Sequence, residues 1–131
     1  MEKKQQEADM KNKAGNLLSW VASSAVLIGI DQYTKALAVA RLKNQQPFVI
    51  LDGVFEFLYS ENRGAAFGLM QGRQGFFFLI GIVVLAVAGY AMLRMPGWQE
   101  KRYHWLKLCV IMITAGAVGN MIDRVSQGYV V

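Results

Sequence analysis

Three stretches of this chain carry no charged side chain: Ala14 to Ile30 (17 residues), Gln74 to Leu93 (20) and Leu108 to Ile122 (15). A bilayer core needs about 20 mostly apolar residues per helix. The middle stretch meets that outright, and the outer two meet it with a flanking charge at the interface. Backbone polar groups in lipid must be satisfied within the chain, so spanning segments are helices or closed barrels. At 131 residues the chain has room for one domain. The pattern therefore predicts a mainly α membrane protein with three transmembrane helices. Hydrophobic residues make up 54% of the chain, above the roughly 45–50% of soluble proteins, and this excludes disorder. The single cysteine, Cys109, excludes an internal disulfide and a Cys-rich metal site. The net charge of +5 reads as membrane orientation, since no nucleic-acid-binding motif accompanies it.

The expected organisation is one membrane domain over 1–131. It has a polar tail (1–16), a first helix (17–37), a loop (41–74), a second helix (75–93), a short loop (94–104), a third helix (105–122) and the start of a further outer segment (123–131). A cleaved signal peptide is the rival reading of 1–40, but the apolar run is too long and no small-x-small site follows it. Ser19, Ser23 and Ser24, and later Ala115, Gly116, Ala117 and Gly119, suit close helix contact. Within the long loop, Val49-Ile50-Leu51 and Val54 to Tyr59 flank Asp52-Gly53, the pattern of a β-hairpin. Phe55, Phe57 and Tyr59 share one face of its second strand and Glu56 the other. That aromatic face either packs on the protein or lies at the membrane surface. Lys107 is expected to snorkel to the interface, His104 to be solvated, and Cys109 to sit inside the third span.

Lys/Arg density near the spans sets orientation. The tail has four (Lys3, Lys4, Lys11, Lys13) and the short loop three (Arg94, Lys101, Arg102). The loop 41–74, about twice as long as the tail, has only four. Tail and short loop are therefore expected in the cytoplasm, and the hairpin outside.

The polar residues of the spans gather at one depth. Asp31 lies about 21 Å along the first span from its inner end. Asn120, Asp123 and Arg124 close the third span, and Asn62 to Gly68 lead into the second. Asn120, Asp123 and Arg124 stand at i, i+3, i+4 on one helix face, and Asp31 and Lys35 are an i, i+4 pair in the favourable order. Charges within a membrane cost about 2.5–3.5 kcal/mol at its centre and tend to face protein or water. Two readings fit: interfacial ion pairs ending helices, or a polar site at the outer side of a three-helix cluster.

These residues also carry a family resemblance. Asp31-Gln32-Tyr33-Thr34-Lys35 is similar to the DQxTK element of the bacterial lipoprotein signal peptidases (signal peptidase II family). Phe57 to Gly68 (FLYSENRGAAFG) resembles their F-x-L-x-Y-x-x-N-x-G-A-A-F-G segment with a start one residue shorter. Gly119-Asn120-Met121-Ile122-Asp123-Arg124, followed by Gly128-Tyr129-Val130-Val131, is similar to their GNxxDR…GxVV element. The resemblance implies an intramembrane aspartic endopeptidase of the bacterial cytoplasmic (inner) membrane. Such an enzyme cuts the signal peptide from diacylglyceryl-modified prolipoproteins without metal or cofactor. It further implies four transmembrane helices and a small extracytoplasmic sheet, with the bilayer and the prolipoprotein as partners; it fixes no oligomeric state.

By this resemblance Asn62, Asn120 and Arg124 border the substrate channel. Asp31, Lys35, Gly64 and Asp123 support the site: Asp123 orienting Arg124, Asp31 holding a helix end through backbone amides or Lys35, and Gly64-Ala65-Ala66 allowing close backbone approach. The family's two catalytic aspartates lie in a VVDF element and a later N-x-A-D element, past the point where this sequence reaches Val130-Val131. Asp31 and Asp123 do not match them. Aspartic proteolysis needs one ionised and one protonated carboxyl close together. The expectation is thus a truncated, inactive form with no catalytic residue of its own. The alternatives are an Asp31–Asp123 substitute dyad, or a non-catalytic membrane protein that binds lipoproteins or a partner.

Overall fold

The computed structural model describes residues 1–64 and 72–131. Its elements are α1 (Glu2–Leu42), β1 (Phe48–Leu51), β2 (Phe55–Phe57), α2 (Gln74–Arg94) and α3 (His104–Gln127), with a 3₁₀ turn at Lys101–Tyr103 leading into α3. Three helices are long and apolar enough to cross a membrane. The helix expected from Leu17 instead begins at Glu2. The residues before it are mostly Glu, Lys, Gln, Ala and Met, strong helix formers, and no Gly or Pro interrupts them before Gly15. At 1.5 Å per residue α1 is about 60 Å long, twice a bilayer core.

Helix α3 is central and packs along both α1 and α2. The buried apolar core is small (Ala88, Met92, Ile111, Ala115), as befits helices whose outer faces meet lipid rather than water. Small residues set the closest approaches. A Cβ at Gly119 of α3 would collide with the Asp31 carboxylate of α1, and one at Gly81 of α2 with Met121 of α3. In mid-bundle, Trp20 Nε1 donates to Thr114 Oγ1 at 2.8 Å.

About 20 Å into α1, Asn16 and Lys107 form a buried lock. Asn16 Nδ2 donates to the carbonyls of Met92 (3.1 Å), Met95 (2.9 Å) and Pro96 (3.2 Å), capping the end of α2 from another helix. Lys107 does not reach out to solvent as expected. It is 0% exposed, donates to Asn16 Oδ1 (2.9 Å) and Pro96 O (2.7 Å), and lies 4.5 Å from the Trp98 ring centroid. Nor is His104 freely solvated: its Nε2 donates to Trp98 O at 2.7 Å and its ring lies tilted against Trp98, centroids 5.2 Å apart. Cys109 lies exposed on the helix surface of the third span.

The hairpin turns at Asp52-Gly53, where Gly53 takes φ +67°, a conformation glycine adopts without strain. Phe48 pairs with Phe57, Val49 with Glu56 and Leu51 with Phe55, with an irregularity between Val49 and Leu51. Its aromatic face divides: Tyr59 is half-buried and bonded to Glu61 and Tyr129, whereas the two phenylalanines face outward. Phe55 and Phe57 stack edge to face at 5.3 Å and both stay exposed, as do all of Phe48 to Leu51.

Candidate functional site at the hairpin end of the bundle

The hydrophilic residues of α1 and α3 meet where the loop enters α2. Lys35 Nζ lies 2.8 Å from Asp31 Oδ2 and 2.9 Å from Asp123 Oδ2, and donates to Asn120 Oδ1 at 3.3 Å. Gln32 Nε2 joins the same carboxylates, at 3.1 Å from Asp31 Oδ2 and 2.9 Å from Asp123 Oδ1, and reaches Gly119 O at 3.3 Å. The Asp123 side chain is 3% exposed, Lys35 15% and Asp31 30%. Charges at such burial persist only when paired and hydrogen-bonded, which this arrangement supplies. Asp123 Oδ2 also accepts the backbone N–H of Val131 at 3.4 Å.

Arg124 forms a second group beside the first. Its Nη2 donates to Gly64 O (3.1 Å) and its Nη1 to Asn120 O (3.3 Å), while the guanidinium covers the Phe77 ring at 4.6 Å. Gly64 N–H in turn donates to Asn62 Oδ1 at 2.9 Å, a side-chain-closed turn typical of Asn. The backbone of Asn62 exchanges hydrogen bonds of 2.8 and 2.9 Å with Val130. Gln74 Nε2 ties the start of α2 to Gly128 O at 2.9 Å.

The structure therefore links all seven residues singled out in the sequence: Asp31, Lys35, Asn62, Gly64, Asn120, Asp123 and Arg124. One expected relation is absent. Asp123 does not orient Arg124; adjacent helical residues point about 100° apart, so Asp123 turns to Lys35 and Arg124 to the loop. Asp31 pairs with Lys35 at 2.8 Å. Ala65 and Ala66, with the rest of 65–71, lie outside the described residues.

Sequence reasoning missed Gln32, although it stands inside the first motif; that place in the motif was the available signal. It also missed a collar around the loop. Glu61 accepts from Lys43 (3.0 Å), Tyr59 (3.1 Å) and Arg63 (3.2 Å), and Tyr129 Oη contacts Lys43 Nζ (3.4 Å) and Tyr59 Oη (3.5 Å). The Lys43 hydrogen bond, then those of Arg63 and Tyr59, hold the Glu61 carboxyl down at about 2 against its own desolvation. The Tyr59 phenol is pushed up to about 12, first by its bond to Tyr129, then by burial and Glu61. Lys43 is raised by Glu61 and then Tyr129.

Three helices long and apolar enough to span a membrane, with this polar cluster at the hairpin end of the bundle, define a polytopic membrane protein. The family model described as signal peptidase (SPase) II matches residues 23–131. Lipoprotein signal peptidases of Caldanaerobacter subterraneus subsp. tengcongensis and Streptococcus thermophilus are similar. The first is 40% identical over 107 residues, covering 82% of this chain and 70% of that protein. The second is 38% identical over 105 residues, covering 80% and 66%. A bacterial membrane enzyme solved by the in meso method at 2.3 Å resolution superposes with TM-score 0.72 at 27% identity, over 86% of this chain and 66% of that one. The chain belongs to the signal peptidase II family, and it spans about two thirds of the length of the relatives it matches.

Proposed function

We propose that these residues form the scaffold and substrate-binding part of a lipoprotein signal peptidase, an endopeptidase that removes the signal peptide from diacylglyceryl-modified prolipoproteins. The observation that carries this reading is the continuous run of contacts in which Lys35 joins Asp31, Asp123 and Asn120, and Asn120 leads through Arg124 and Gly64 to Asn62. It joins all three family-like motifs at one end of the bundle. The assigned setting is a bacterial cytoplasmic membrane, with the N-terminus in the cytoplasm and the hairpin outside. The exposed Phe48, Phe55 and Phe57 favour a hairpin lying on the membrane surface, where aromatic side chains are stabilised.

Asn120 and Asn62 have their Oδ1 atoms occupied by Lys35 and Gly64. Their Nδ2 groups are donors suited to the carbonyls of an extended peptide. Arg124 offers its planar fork beside them. An Asp31–Asp123 dyad is disfavoured because one ammonium, Lys35 Nζ, bonds both Oδ2 atoms. It occupies the place where a shared proton and a nucleophilic water would be held. The catalytic aspartates implied by the resemblance are not among these 131 residues.

The test uses the 131-residue chain in detergent, alone and joined to the C-terminal third of the Streptococcus relative, with a lipidated prolipoprotein as substrate. The chain alone gives no cleavage above the blank. The joined chain cleaves, and Arg124→Ala in it slows cleavage by about tenfold or more, as loss of substrate positioning does. Cleavage by the chain alone overturns the reading. A folded joined chain that binds the prolipoprotein without cutting it replaces the peptidase with a binding protein.

A further inference from the structure

A groove of about 650 Å³ runs between α1 and α3 at the end of the bundle away from the hairpin. Its size falls within the roughly 300–1,000 Å³ of small-molecule sites. Its walls are apolar, with Val26 and Leu27 from α1 facing Leu108 from α3, and its mouth carries Lys101, His104 and Trp105. The wall residues belong to the spanning segments, so in a bilayer the groove opens onto hydrocarbon. The mouth lies at the end of that span, where Trp105, 78% exposed, marks headgroup depth.

The mouth is positive and held in shape. Among the described residues no carboxylate pairs with Lys101, and the neighbouring acid, Glu100, is engaged by Arg102 at 3.7 Å. The hydrogen bond from His104 to Trp98 O and the tilted contact of their rings fix the turn that presents Lys101. Basic pockets between transmembrane helices attract anionic lipid headgroups, and the apolar walls below accept only a hydrocarbon tail. We infer that this groove holds one anionic phospholipid, its phosphate at Lys101 and an acyl chain along Val26, Leu27 and Leu108. This site lies at the opposite end of the bundle from the residues assigned to peptide binding, and does not depend on that assignment.

Native mass spectrometry of the detergent-purified chain with equal phosphatidylglycerol and phosphatidylcholine reads the site directly. One phosphatidylglycerol stays bound in preference to phosphatidylcholine. Lys101→Glu, on an exposed turn, lowers that preference by about fivefold or more, the scale of one basic residue at a lipid surface. Val26→Trp, which fills the groove, removes retention of both lipids, while circular dichroism shows unchanged helix content. Equal retention of the two lipids, or a Lys101→Glu chain that keeps its preference, overturns the inference. So does loss of the bound lipid when the chain is extended by a relative's C-terminal third, which shows that protein and not lipid covers the groove.

Discussion

Lys35 is a largely buried ammonium shared by two carboxylates and an amide oxygen. Replacing it with Met leaves Asp31 and Asp123 facing each other without a counter-ion. Breaking a buried ion pair by removing one partner costs about 3–5 kcal/mol, so Lys35→Met should lower the thermal unfolding midpoint in detergent sharply. Adding Asp123→Asn should restore part of it, because the second uncompensated charge goes with it. An additive double variant would show that the two residues do not interact. Gly119 sits under the same group. Gly119→Ala places a methyl against the Asp31 carboxylate, and overpacking of this kind costs about 1–3 kcal/mol; the same unfolding measurement reads it. The sequence made the Asp31–Lys35 pair legible, because i, i+4 spacing is local. The expected turn of Asp123 to Arg124 was misplaced, since the real partner, Lys35, depends on how α3 is rotated against its neighbour.

The hairpin and its collar form an element with its own pH range. Glu61 is held at about 2 in the fold against 4.5 unperturbed. Its bonds to Lys43, Tyr59 and Arg63 therefore contribute fully above pH 4.5 and are lost as the pH falls through about 2. Tyr59, raised from 10.0 to about 12, favours the fold fully below pH 10.0 and loses that effect as the pH rises through about 12. Limited proteolysis in the loop 41–64 should thus be slow from about pH 5 to 10 and accelerate on either side. In Glu61→Gln the acid-side change disappears while the alkaline one persists. The proposed position of the sheet on the membrane surface can be read directly. A spin label at Phe57→Cys, in a Cys109→Ser background, should report oxygen accessibility typical of the lipid interface; a fully aqueous label would place the hairpin away from the bilayer. Asp-Gly between apolar runs announced this hairpin in the sequence. The collar was not announced, because Lys43, Glu61 and Tyr129 are far apart in the chain and carry no periodic signal.

At the scale of the whole molecule, polar groups divide the bundle into two ends joined by an apolar middle. One end holds the Asp31–Lys35–Asp123 circuit, the other the Asn16–Lys107 lock. Uncharged runs revealed the middle, since apolar length alone defines a span. The lock was hidden because a lone Asn and a lone Lys in apolar runs each have many partners to choose from, and only the docked α2–α3 turn brings carbonyls to both. The length of α1 follows from the same division: its first 15 residues or so are too polar for hydrocarbon and extend about 20 Å beyond Asn16. If Lys/Arg density sets the orientation, that extension stands in the cytoplasm and the Asp52-Gly53 turn faces out. In intact spheroplasts carrying Cys109→Ser, a membrane-impermeant maleimide should label Asp52→Cys and spare Met10→Cys until the membrane is opened. The reverse labelling would invert the protein. It would leave both polar ends intact but move the proposed peptide-binding end to the cytoplasmic side, where a lipoprotein precursor carried outward would not meet it.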